Sequence, residues 1–179
     1  MTKHNTALIG VFTALIAVSA FIRIPTPIMP LSMQIFMMIL TPMLIGARSS
    51  FLAILLYIFL GLIGLPVFVS GGGPAYVLQP SFGFLIGYLV SSIPNGLIAA
   101  KIGKLWGYYA SGMVAIIIIY LFGITVFWLN MNHVQGKEMS LPVSVAVVAS
   151  PFIVSDLIKL AAAGLIAAKL RKVTSQYRY

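Results

Sequence analysis

Six apolar runs, separated by the few charges the chain possesses, govern what this sequence can fold into. They cover roughly Thr6 to Phe21, Leu31 to Ile45, Ser50 to Leu65, Ser81 to Ala100, Tyr108 to Leu129 and Pro142 to Leu170. A bilayer-crossing helix needs about 20 mostly apolar residues, or about 17 at the short end, so the second run is short. Only 7% of the residues are charged and 61% are hydrophobic, whereas soluble domains carry about 25% and about 45–50%. The mean hydropathy is +1.10. These values exclude a water-soluble enzyme and a disordered chain. The expected fold class is an all-α integral membrane protein with six transmembrane helices. Residues 1–179 are expected to form one transmembrane domain embedded in the lipid bilayer of the cell membrane.

The charges report orientation. Lys3, Arg48, Lys101, Lys104, Lys169, Arg171, Lys172 and Arg178 fall on one side of such a bundle, and Arg23 and Lys137 on the other. This bias places the eight cations, and with them both termini, in the cytoplasm. The net charge of +9 is therefore read as a topology signal rather than a nucleic-acid surface, and no nucleic acid is expected as a partner. The first run has no clear small-residue cleavage site and is read as a mature helix. Pro25, Pro27 and Pro30 follow it. They remove amide donors and disfavour the α region before them, which predicts an ordered, non-helical loop.

Two features carry chemistry. In the last run, Asp156 and Lys159 stand three residues apart on one helical face. A charge at the centre of a membrane helix costs about 2.5–3.5 kcal/mol. The pair is therefore expected to face the bundle interior or a watery cavity, as a polar ligand site or as an ion pair that fixes packing. The third loop, Pro66 to Pro80, has no charge and contains Gly71-Gly72-Gly73-Pro74. Consecutive glycines let a backbone turn sharply and approach a ligand closely. An apolar loop beside a membrane is expected to fold inward as a lid or wall. The aromatic residues around it, including Tyr76, Phe82 and Tyr88, are explained singly by a membrane-interface belt. On the first helix Gly10 and Ala14 make a small-residue pair four apart, which lets another helix pack closely.

Several chemistries lack their residues. Gly103-Lys104 lacks the upstream glycine and the following Ser or Thr of a P-loop. There is no H-E-x-x-H pattern, no cysteine and no second intramembrane carboxylate. No enzyme activity, metal or cofactor is expected.

Taken together, Gly64-Leu-Pro66-Val-Phe68, the glycine run, Pro80-Ser-x-Gly83-x-x-x-Gly87-Tyr88 and Ser155-Asp-Leu-Ile-Lys159 resemble the BioY family. Its members are the biotin-binding substrate-specific (S) components of energy-coupling factor (ECF) transporters, which are ABC importers. The resemblance covers the whole chain and implies an S-component-like bundle that binds biotin from outside. It implies a site near the outer leaflet, under the first and third loops. As substrate contacts it implies Asp156 and Lys159, with Gly72, Gly73, Tyr76, Gln79, Ser81, Phe82 and Tyr88 from the loop and the following helix. Asp156 suits a ureido N–H, and Lys159 suits the valerate carboxylate or a polar edge of the ligand. The implied partners are the transmembrane coupling protein EcfT, met by Gly10 and Ala14, and two ABC ATPases.

The family pattern after the glycine-rich loop is close to G-P-[TS]-G-G-Y, and this chain reads Gln79-Pro-Ser-Phe82-Gly83-Phe84. Two glycines and a tyrosine are replaced, which adds bulk and removes a hydroxyl. A related carboxylated vitamin such as lipoate is therefore kept beside biotin. A stand-alone proton-coupled carrier using Asp156 is the competing class.

Overall fold

The computed structural model describes residues 3–24 and 31–174, with side chains described over 5–24 and 31–170. Among them are six helices: α1 (Lys3–Phe21), α2 (Gln34–Leu62), α3 (Phe82–Ile102), α4 (Leu105–His133), α5 (Leu141–Ala149) and α6 (Ile153–Thr174). Helices dominate because no water is present in a bilayer to satisfy a loose backbone amide or carbonyl. The first loop begins and ends as a two-residue antiparallel ribbon. Strand β1 (Arg23–Ile24) pairs with β2 (Leu31–Ser32), with Arg23 opposite Ser32. The three prolines expected to shape that loop lie outside the described residues.

By length and composition, α2, α3 and α4 can each cross a membrane, and α5 with α6 make a fourth candidate bent by 50°. Helix α2, however, is not one straight rod. Gly46 has φ 78° and ψ 172°, which is not helical. The Gln34 side-chain amide donates to the Tyr57 hydroxyl at 2.9 Å. On a straight helix those residues would stand about 34 Å apart. The element therefore doubles back at Gly46 into an antiparallel hairpin. Its arms, residues 34–45 and 47–62, match the second and third expected spans.

The sixth expected span is two helices. Pro151 has no N–H to donate and its ring opposes a continuous helix. Phe152 N–H instead donates three residues back, to Ala149, and Asp156 N–H to Phe152. The break starts α6 beside the residues that carry its charges.

Close packing comes from small residues, as expected between membrane helices. A side chain on Gly83 would strike Phe122 and Val126 of α4, and one on Gly87 would strike Ile119. The α3–α4 seam thus uses Gly83-x-x-x-Gly87. Gly96 sits equally close to the hairpin turn at Gly46 and Ala47. The core joins Ile39, Met43, Ile54, Tyr57, Ile119 and Leu160. Helix α1 docks on the second arm of α2, where Thr13 Oγ1 donates to the Ala53 carbonyl at 3.0 Å. Outward positions stay apolar: Ile117 is 61% exposed and Leu121 63%, which suits lipid. Alternating direction gathers Arg48, Lys101, Lys104 and Lys169 at one end of the bundle, opposite Arg23 and Lys137.

Candidate functional site

A cavity of about 520 Å³ opens beneath the third loop, within the usual size of small-molecule sites, about 300–1,000 Å³. Its deep end is polar. Lys159 Nζ lies 3.0 Å from Asp156 Oδ1, and the Tyr120 hydroxyl donates to Asp156 Oδ2 at 2.8 Å. Ser155 Oγ also donates to Oδ1, at 3.4 Å. Asp156 is 4% exposed and Lys159 8%. The break at Pro151 sets Asp156 in the first turn of α6, where the helix dipole favours a negative charge. The pair spends one of the three lysine donors; Oδ1 accepts two hydrogen bonds and Oδ2 one, which leaves a lone pair on Oδ2. It can therefore hold a compact group that presents an N–H donor beside a C=O acceptor. The buried Tyr88 lines the same space.

The third loop forms the wall above. It is neutral, but it is ordered rather than slack. Gly73 N–H donates to the Gly61 carbonyl at 2.7 Å, and Phe68 and Gly71 exchange backbone hydrogen bonds. The Phe68 ring is buried against Gly61. It lies edge-on to Tyr57 at 5.4 Å and tilted on Tyr76 at 4.4 Å. The Tyr57 hydroxyl donates to the Val67 carbonyl at 3.0 Å. A 3-10 turn over Pro74–Leu78 then carries Tyr76 inward, where Ser81 Oγ donates to its hydroxyl at 3.2 Å. Asn130 Nδ2 of α4 donates to the Leu78 carbonyl and pins the far side.

Of the residues singled out in the sequence, Asp156, Lys159, Tyr76, Gln79, Ser81 and Tyr88 line the cavity, and Gly72, Gly73 and Phe82 do not. The glycines shape the loop instead. Gly73 has a φ of 106°, and a side chain on Gly72 would strike the Leu65 carbonyl. Phe82 packs against the core at the start of α3. Gly10 and Ala14 lie on the outward face of α1, and nothing stands within 4 Å of a Cβ placed on Gly10. Sequence reasoning missed Tyr120, Gln34, Gln135 and Lys137 at the cavity wall, and met Phe84, also there, only as a departure from the family pattern. Tyr120 had a signal: it is a hydroxyl closing the run Ile116-Ile-Ile-Ile119. Gln34, an amide inside an apolar run, had a similar one.

The profile of the BioY family matches residues 1–176. A Thermotoga maritima protein named "Biotin transporter BioY" is 38% identical over 165 residues, covering 92% of this chain and 94% of that protein. A Lysinibacillus sphaericus protein named "Probable biotin transporter BioY" is 36% identical over 168 residues, covering 93% and 86%. A crystal structure of the S-component for biotin from an ECF-type ABC transporter superposes with a TM-score of 0.84. It is 24% identical and covers 96% of this chain and 95% of that one, which is a likeness of fold.

Proposed function

This chain belongs to the BioY family, and from that membership we propose that it is a multi-pass cell-membrane protein serving as the biotin-binding S component of an ECF-type importer. The observation that carries the ligand is the Tyr120–Asp156–Lys159 cluster at the deep end of an otherwise largely apolar cavity. Biotin carries a cyclic urea with N–H and C=O groups side by side. Asp156 accepts from an N–H, and Lys159 or Tyr88 donates to the carbonyl. The apolar wall of Phe84, Leu85 and Phe127 receives the sulfur ring. Tyr76, Gln79 and Ser81 close over it.

Within this reading the chain binds and hands over, and does not spend ATP. EcfT and two ABC ATPases supply that work, with the outward Gly10–Ala14 face of α1 against EcfT. The positive-inside bias puts the cavity mouth outside the cell and Arg48, Lys101, Lys104 and Lys169 in the cytoplasm.

Native mass spectrometry of gently purified protein, paired with titration of biotin and of lipoate, tests the ligand. The expected result is one bound biotin per chain and biotin affinity far above that for lipoate, which has no urea to meet Asp156. Saturable lipoate binding without biotin binding would transfer the site to the other vitamin. Uptake that needs no ATPase partner and collapses with the proton gradient would favour the stand-alone carrier.

A further inference from the structure

Three charged side chains line the cavity among the described residues: Asp156, Lys159 and Lys137. The first two neutralise each other at 3.0 Å. Lys137 is left as the uncompensated charge facing the ligand, so the cavity complements a molecule with one negative charge.

We infer that Lys137 holds the ligand's carboxylate at the mouth of the cavity, and that Lys159 is not the carboxylate anchor. The inference rests on the biotin-binding reading of this site.

The placement is built, not incidental. Helix α4 ends at His133, and a left-handed glycine, Gly136 with φ 63°, turns the chain three residues later. Lys137 N–H then donates back to the Met131 carbonyl at 2.9 Å. This bond closes the turn that follows the helix and fixes the Lys137 backbone against the last turn of α4. On the other side of Lys137, the Met139 carbonyl accepts from Trp128 Nε1 at 2.9 Å and from Asn132 Nδ2 at 3.0 Å. Met139 N–H donates to Asn132 Oδ1 at 3.0 Å. The loop is thus preorganised, which lowers the ordering cost of binding. Gln135 lines the cavity from the same turn and offers a second donor to an anion.

The spacing agrees. The helical rise puts Met131 about 16 Å along α4 from Tyr120. A lysine side chain reaching back from that level leaves room for a polar ring at Asp156 and a short acyl tail ending at Lys137. Lys137 itself is exposed, so its charge stays hydrated until the ligand arrives. Lys159 keeps two donors, but its charge is already balanced by Asp156 at 3.0 Å, so it offers an anion no net charge.

The test compares biotin with biotin amide, which keeps the ring and tail but has no charge, on wild-type protein, Lys137→Met and Lys137→Arg. A charge-assisted contact at a partly hydrated rim shifts affinity by about three- to tenfold. Wild type is expected to prefer biotin over the amide by that factor, Lys137→Met to lose the preference with amide affinity unchanged, and Lys137→Arg to keep it. Glu138→Gln, one position along and outside the cavity wall, is expected to change nothing. A Lys137→Met protein that still discriminates like wild type overturns the assignment alone. Wild-type protein that binds neither compound overturns the biotin reading and this assignment with it.

Discussion

The Tyr120 hydroxyl donates to Asp156 Oδ2 at 2.8 Å, across the gap between α4 and α6. It holds the carboxylate by the oxygen that Lys159 does not touch, so the lone pair left on Oδ2 points in a defined direction. Tyr120→Phe removes this donor while keeping the ring. A hydrogen bond to a charged group contributes about 1.5–3 kcal/mol. Biotin affinity is expected to fall about tenfold or more, with a modest loss of thermal stability, by calorimetric titration and thermal unfolding in detergent.

The ion pair is tested as a cycle. Removing one partner of a buried pair costs about 3–5 kcal/mol because the other charge is stranded. Asp156→Asn and Lys159→Met should each lower the unfolding temperature and weaken biotin binding. The double variant should regain most of the stability and none of the binding. A double variant that binds biotin like wild type would reduce the pair to a packing device.

Phe68 is the plug of the third loop, set between Tyr57 and Tyr76 on top of Gly61. Phe68→Ala should cost about 3–5 kcal/mol and open the wall beside Tyr76. The expected signature is faster biotin release in a dissociation chase. An unchanged release rate would show that the loop does not gate the ligand.

Gly46 turns α2 with a backbone that only glycine adopts without strain, at φ 78° and ψ 172°. No atom lies within 4 Å of a Cβ placed there, so Gly46→Ala isolates backbone strain of about 1–3 kcal/mol. Thermal unfolding should show that loss, while binding at saturating biotin persists. Gly10→Ala, in ordinary helical backbone with equal space, should show none.

The outward face of α1 separates binding from transport. Gly10→Leu places a large side chain where nothing within the chain opposes it. Biotin binding and stability should match wild type, and biotin uptake by cells that also make the ATPase module should fall several-fold. Unchanged uptake would move the coupling surface elsewhere.

Much of the fold was legible in the linear order of residues. The apolar runs located every helix, because in a bilayer a long apolar stretch must satisfy its own backbone. The second and third runs were separated by Gly46-Ala-Arg48, and the structure folds back there. The break at Pro151 was less legible, since a proline inside an apolar run either kinks a helix or ends it, and neighbouring helices decide which. Asp156 and Lys159 stood out because a charge is costly at that depth. The loop glycines stood out too, but their use did not. A glycine run signals close approach without saying to what, and here Gly72 approaches the Leu65 carbonyl rather than the cavity.

Membrane residence, the helix positions and the buried pair followed from sequence alone because each rests on local cost: hydrophobic length, missing donors, or charge in hydrocarbon. The shape of the site followed only from tertiary structure. Tyr120 meets Asp156 across 36 positions, Asn130 holds Leu78 across 52, and Lys137 enters the wall through a helix-ending turn. Such contacts depend on which faces of packed helices meet, and no local pattern encodes that. The same packing brought one apparently spare loop cation, Lys137, to the cavity wall.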